Sequence, residues 1–211
     1  HVAGMRAFTT GRGREGWPSL GSWIVYGLGA ETDNLPAYVA LVLRGNVPGA
    51  PFWDARQLPS IYQGTLVRDK EPRIANLEPP SHLQGAPQQR QLDLLRKLNE
   101  QHLDGHPGEQ DLAARIASYE LAARMQNAAS EALDLSQESQ ATQELYGLAE
   151  AAKKPMAEAC LLARRFIERG VRFVQIWDYA WDMHENIFAS LEARCAGRDR
   201  PAAALVADLK S

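Results

Sequence analysis

The sequence predicts an α/β fold, a mostly parallel sheet flanked by helices and carrying a helical insertion, and three observations support it. The segment from Val171 to Trp177 is a short, nearly continuous apolar run, as expected of a strand covered on both faces. It follows directly on a helical stripe of Met156, Cys160, Ala163 and Ile167, which Gly170 closes. A second apolar run, Tyr38 to Leu43, supplies another strand. Helix, glycine, apolar strand and polar loop form half of a βαβ unit, from which parallel sheets are built.

The elements follow in three textures. Up to about residue 80, Gly, Pro and aromatic residues punctuate short apolar runs, a pattern of strands and ordered loops. Within it, Pro18-Ser19-Leu20-Gly21-Ser22-Trp23 reads as a helix start capped by Ser19. The Pro- and Gln-rich stretch from Pro79 to Gln91 is the most linker-like. From Pro87 to about Leu148 the chain is helical and polar, and is expected as an insertion or lid. Leu112, Ile116, Tyr119 and Ala123 share one side of a 3.6-residue period, so one amphipathic helix over 109–127 is expected to bury Leu112, Ile116 and Tyr119. Pro155 opens the third texture, a helix to Arg169 that covers Val171 to Trp177 as an inner parallel strand.

Composition excludes several function classes. With 211 residues, 45% hydrophobic and 23% charged, the chain is long enough for one substantial globular domain. A net charge of -3, with both signs interspersed, provides neither a basic face for nucleic acid nor a polybasic run for anionic membranes. No stretch approaches the roughly 20 apolar residues of a membrane span. The first residues lack the basic start and apolar core of a signal peptide. Cys160 and Cys195 are too few for a disulfide framework, and Cys160 lies on the apolar stripe as a buried small hydrophobe. The chain begins at His1 without Met and stops in what reads as the last turn of a helix, so it is expected to be an interior piece of a longer protein.

The motifs differ in what they can do. Gly11-Arg12-Gly13-Arg14-Glu15-Gly16 matches the dinucleotide fingerprint in letters, but Trp17-Pro18 delays any helix beyond reach of a pyrophosphate, so a loop is expected. Asp182 and His184, two apart just past a strand, would point the same way on extended backbone and could grip one cation. Asp178 and Asn186 are close enough in sequence to assist; the plain alternative is an Asx-turn beside an exposed histidine. Trp177 and Trp181 read as core, and His82, His102 and His106 as solvated. No Gly-x-Ser-x-Gly elbow or nucleophilic triad is present.

Several blocks together resemble one bacterial family, called domain of unknown function 1501. They are Cys160-Leu161-Leu162-Ala163-Arg164-Arg165-Phe166-Ile167-Glu168-Arg169-Gly170-Val171-Arg172-Phe173-Val174-Gln175 with Trp181-Asp182-Met183-His184-Glu185-Asn186-Ile187, and Pro18 to Gly29 with Asn34-Leu35-Pro36. Leu58 to Gly64, Arg115 to Ala122 and Arg124-Met125-Gln126 complete the set, in family order over nearly the whole chain. The resemblance implies a sulfatase-like, alkaline-phosphatase-like α/β domain, here incomplete, from an exported or periplasmic protein. It further implies a metal-dependent hydrolase of sulfate or phosphate esters on small molecules or glycans, using a divalent metal such as zinc or calcium. Asp182 and His184 occupy the family's Trp-Asp-x-His block as metal ligands, and His1, ahead of Thr10-Gly11, fits a histidine that touches substrate or supports the ligands.

The departures qualify this. The family's earlier segment, its later Gly-Glu-Phe-Gly-Arg block and its last histidine are not in this chain, so the isolated fragment is expected to be inactive. Ala180 stands where a glycine commonly precedes Trp-Asp. A non-catalytic binding protein on the same fold is the alternative. A third reading has the helical region dock a partner through an exposed apolar stripe.

Overall fold

A computed structural model describes residues 2–43, 52–179 and 181–211. Among these, three parallel strands lie in the order β2, β1, β3, where β1 is Tyr38–Val42, β2 is Thr65–Arg68 and β3 is Phe173–Trp177. Val39 pairs with Thr65 on one side and with Val174 on the other. The helices are α1 Val2–Thr10, α2 Leu20–Leu28, α3 Ala86–Asp104, α4 Gln110–Leu133, α5 Gln140–Tyr146, α6 Lys154–Glu168, α7 Ile187–Ala196 and α8 Asp199–Asp208. The chain is therefore α/β, with helices around an open parallel sheet. Among the described residues no helix is long and apolar enough to cross a membrane.

Strand β1 is the centre of the fold because its side chains alternate between two cores. Val39 and Leu41 point into one, with Val67, Met125, Leu162, Ala163 and Phe166. Tyr38, Ala40 and Val42 point into the other, with Val25, Phe52 and Trp53. Helix α2 lies close on this second face at Gly21, where an added Cβ would fall 2.6 Å from the Tyr38 ring and 2.7 Å from Phe173. The expected Ser19 cap is present: its hydroxyl accepts from the Ser22 amide at 3.3 Å, and the residue is extended at ψ 158°. Helix α1, by contrast, occupies a stretch where the Gly-punctuated pattern announces only strands and loops; Gly4 and the paired Thr9 and Thr10 weaken its helical signal.

The expectation of an inner strand at Val171 to Trp177 is half right. Strand β3 is parallel and packs beneath α6, but it is the outer strand of the three described, and all five of its residues are half-buried. Its two apolar faces explain the pattern: Val174 and Ile176 pack on one core, Phe173 and Trp177 on the other. An apolar run reports cover above and below a strand but says nothing about neighbours in the hydrogen-bonding direction.

Helix α6 opens with its Pro in the first turn and ends as expected, with Gly170 left-handed at φ 86°. Its buried surface is wider than one stripe because two cores flank it. Leu162, Ala163 and Phe166 face the sheet, whereas Ala157, Cys160 and Leu161 meet Tyr146 and Ala204 of α5 and α8. Ile167 belongs to neither cluster and is exposed, contrary to the stripe.

Helix α4 corrects a second expectation. Nine residues at about 100° each carry Met125 to the side opposite Ile116. The second half of α4 buries that opposite side, with Met125, Ala129 and Ala132 in the main core. Ile116 is buried and Leu112 half-buried, but Tyr119 is 67% exposed. Tyr119 and Ala123 instead line a cleft of about 600 Å³ against Leu92 and Leu95 of α3, a helix with no buried residue. Helix α3 has little beside it except α4 and covers little of that surface, so the stripe is real and its burial is not. Leu94, Leu95 and Leu98 of α3 are likewise exposed.

The buried end of α4 is held by ions. Arg165, 5% exposed, donates from Nε to the Ala132 carbonyl at 2.9 Å and from Nη2 to that of Glu131 at 2.8 Å. Its Nη1 donates to Glu138 at 2.6 Å, and Arg164 donates to the same carboxylate. Arg164 also reaches Asp208 at 2.8 Å, which accepts from the Tyr146 hydroxyl at 2.8 Å.

Two outcomes test this packing. Met125→Asp should cost about 3 kcal/mol or more, because it puts an unpaired carboxylate into the core, whereas Tyr119→Asp should stay within about 0.5 kcal/mol in denaturant titrations. Burial alone would raise the Glu138 pKa, but hydrogen bonds and charge from Arg164 and Arg165 outweigh it and hold the carboxyl below its ordinary value. A carboxyl depressed in the fold contributes stability above its unfolded pKa of about 4.3 and loses it as pH falls through the lower folded value. Glu138→Ala should therefore lower stability at pH 7 by about 3 kcal/mol and flatten the acid limb of a pH–stability curve; an unchanged curve would reject the assignment.

Candidate functional site

The candidate site lies where the parallel strands end at their carboxyl side, the edge at which α/β sheets hold ligands. Pairing runs past the end of β1, since the Leu43 amide donates to the Trp177 carbonyl at 2.9 Å. Beyond Trp177 the described chain has no regular structure until α7. Asp178, first in this segment, is anchored: Arg198 donates to it from Nε at 2.8 Å and from Nη2 at 2.9 Å, and the Trp181 indole Nε1–H donates at 2.9 Å. Burial would raise its pKa, but the Arg198 hydrogen bonds and charge prevail, with the Trp181 and Arg194 contributions, and the carboxyl is held below its usual value. Arg194 adds a second tie, donating from Nη1 to the Tyr179 carbonyl at 2.8 Å.

Asp182 and His184 converge. The His184 Nε2 lies 3.0 Å from the Asp182 Oδ1, and the side chains are 78% and 47% exposed. The separation is that of a direct hydrogen bond or ion pair, somewhat shorter than the roughly 3.4 Å between two ligands of a tetrahedral ion at about 2.1 Å, so the pair matches a cation site in donor type and would open slightly to hold one. Among the described residues no third His, Cys, Asp or Glu joins them to form a group of three. Asn186 is left-handed, at φ 47° and ψ 43°, and its carbonyl accepts from the Ser190 amide at 2.9 Å, so its backbone turns the chain into α7. His1 and Ala180 lie outside the described residues.

At the carboxyl end of β3 is an aromatic cluster. The Trp177 ring stands 5.4 Å from Phe52 and 6.4 Å from Trp53, and stacks on Tyr179 at 6.5 Å. Among the described residues, the Trp177 Nε1 and the Tyr179 hydroxyl are buried without a hydrogen-bond partner. Trp181, expected in the core, is instead 44% exposed, because its indole is turned to meet the Asp178 carboxylate.

The other candidates fall as the residues suggest. The segment Gly11 to Gly16 is a loop that follows a helix and not a strand, so it lacks the setting of a nucleotide fingerprint. His82, His102 and His106 are exposed. Cys160 is buried, which pushes its thiol pKa up to about 12 and leaves it inert at neutral pH. A cleft of about 580 Å³ beside α5 is lined by Glu71, Arg73, Asp134, Glu144 and Glu158, away from Asp182 and His184. Arg194 and Arg198 had no sequence signal: they follow Asp178 by sixteen and twenty residues, and only folding places them against it.

No curated protein and no solved structure matches the chain. The family described as "Protein of unknown function (DUF1501)" matches residues 1–211, and the chain belongs to that family.

Proposed function

We propose that the chain contributes to a metal-dependent hydrolase of sulfate or phosphate esters, with Asp182 and His184 as ligands of a divalent cation such as zinc or calcium. The observation that supports this reading is their convergence at 3.0 Å beyond the carboxyl end of β3. A bound divalent cation would supply Lewis acidity at an ester oxygen and a more acidic water. Asp182 would offset part of the positive charge, and His184 would bind through unprotonated Nε2. Their high exposure leaves the open side to solvent and substrate. Two donors leave coordination positions for water, ester or further protein groups. Asp178 is occupied by Arg198 and Trp181, so its role is to support and not to ligate.

A non-catalytic binding protein is the second reading, and the exposed Leu94, Leu95, Leu98 and Tyr119 favour it, because a surface of this kind suits contact more than chemistry. Asp182→Ala and His184→Ala in the full-length protein separate the two. The proposal expects each to lower metal content by at least about tenfold in elemental analysis, and hydrolysis of aryl sulfate or aryl phosphate by about a hundredfold. Unchanged metal content and hydrolysis in both variants would overturn it.

A further inference from the structure

We propose that Arg198, through Asp178, and Arg194 are positioning residues that set the geometry of the Asp182 and His184 pair. This rests on reading that pair as metal ligands. The pair itself is too exposed for packing to hold it, and it sits in a segment without helix or strand. One carboxylate at the start of the segment is firmly anchored: Asp178 accepts two hydrogen bonds from the Arg198 fork and one from Trp181, the residue adjoining Asp182. Arg194 holds the intervening backbone at the Tyr179 carbonyl.

The anchor is rigid because of where the arginines come from. Arg198 precedes α8, whose Pro201 and Ala204 are buried, and Ala204 packs on Cys160 and Leu161 of α6. The Arg198 and Asp178 side chains are themselves only 19% and 11% exposed, so the ion pair is sheltered from the solvent that weakens surface pairs. A two-point guanidinium fork also fixes direction, which a lysine ammonium does not. Groups that hydrogen-bond metal ligands directly are worth about 10- to 100-fold in metal affinity, and this anchor, which acts through the residue next to Asp182, is expected at the lower end of that range.

The test uses Arg198→Met, Arg198→Lys and Asp178→Asn in the full-length protein, with two readouts. The first is the backbone NMR order parameter over residues 181–186 without metal, with the amide exchange protection of α6 as the folding control. The second is Zn²⁺ affinity by calorimetric titration. Arg198→Met should lower the order parameters over 181–186 from about 0.85 to below about 0.6 while α6 stays protected, and weaken Zn²⁺ about tenfold or more. Arg198→Lys should recover part of both losses, which loss of the fold would not do. The Trp181 indole N–H resonance should shift in Asp178→Asn. If Asp182→Ala and His184→Ala leave Zn²⁺ binding unchanged, the ligand reading fails, and the order parameters over 181–186 alone still decide the positioning role. Unchanged order parameters in Arg198→Met, with α6 intact, would overturn it.

Discussion

The structure depends on one buried guanidinium. The last four carbonyls of any helix have no partner within it, and α4 ends with Ala129 and Ala132 packed in the core. Arg165, reaching across from α6, donates to two of these carbonyls, those of Glu131 and Ala132, and places its charge at the negative end of the helix. Glu138 then balances Arg165 and Arg164 together, and Arg164 passes the connection to Asp208 at the end of α8. The helical half of the molecule is thereby tied to the helix that covers the sheet. A hydrophobic residue of the same size would fill the space and leave the Ala132 carbonyl without the Arg165 donor.

This anchoring reaches the candidate site through α6 and α8. Helix α6 packs on β3 on one side and on α8 on the other. Strand β3 delivers Asp178 to the carboxyl edge of the sheet, and the start of α8 delivers Arg198 to meet it. The segment bearing Asp182 and His184 is thus suspended between two elements that share one covering helix. An exposed pair of side chains acquires a defined separation without being buried itself. Under the proposed reading of the pair as metal ligands, that arrangement would leave them open to solvent and substrate on one side.

The division of labour between faces is as clear. One side of the sheet rests on Met125 of α4 and Leu162, Ala163 and Phe166 of α6, and the other carries the aromatic cluster of Tyr38, Phe52, Trp53 and Trp177. Aromatic rings meet there edge to face, as between Phe52 and Trp177. The α3 and α4 pair extends from this body with leucines and Tyr119 exposed, so the helical stretch from Pro87 onward is core at its end and open surface at its beginning.

What the sequence determined by itself is local. The apolar run of β1, the helix with Pro at its start and the left-handed Gly170 at its close, the Ser19 cap and the inert Cys160 follow from periodicity and side-chain chemistry within about ten residues. The placing of Asp182 and His184 just past a strand belongs with them. Tertiary structure alone decided that β1 and not β3 is the inner strand, that α4 buries Met125 and leaves Tyr119 outside, and that Trp181 turns outward to Asp178. It also chose Arg165, Arg194 and Arg198 as anchors. The reason is the same in each case: a pattern along one chain records which faces are apolar, whereas the neighbour that covers a face, or the charge that meets a carboxylate, is set by residues many positions away.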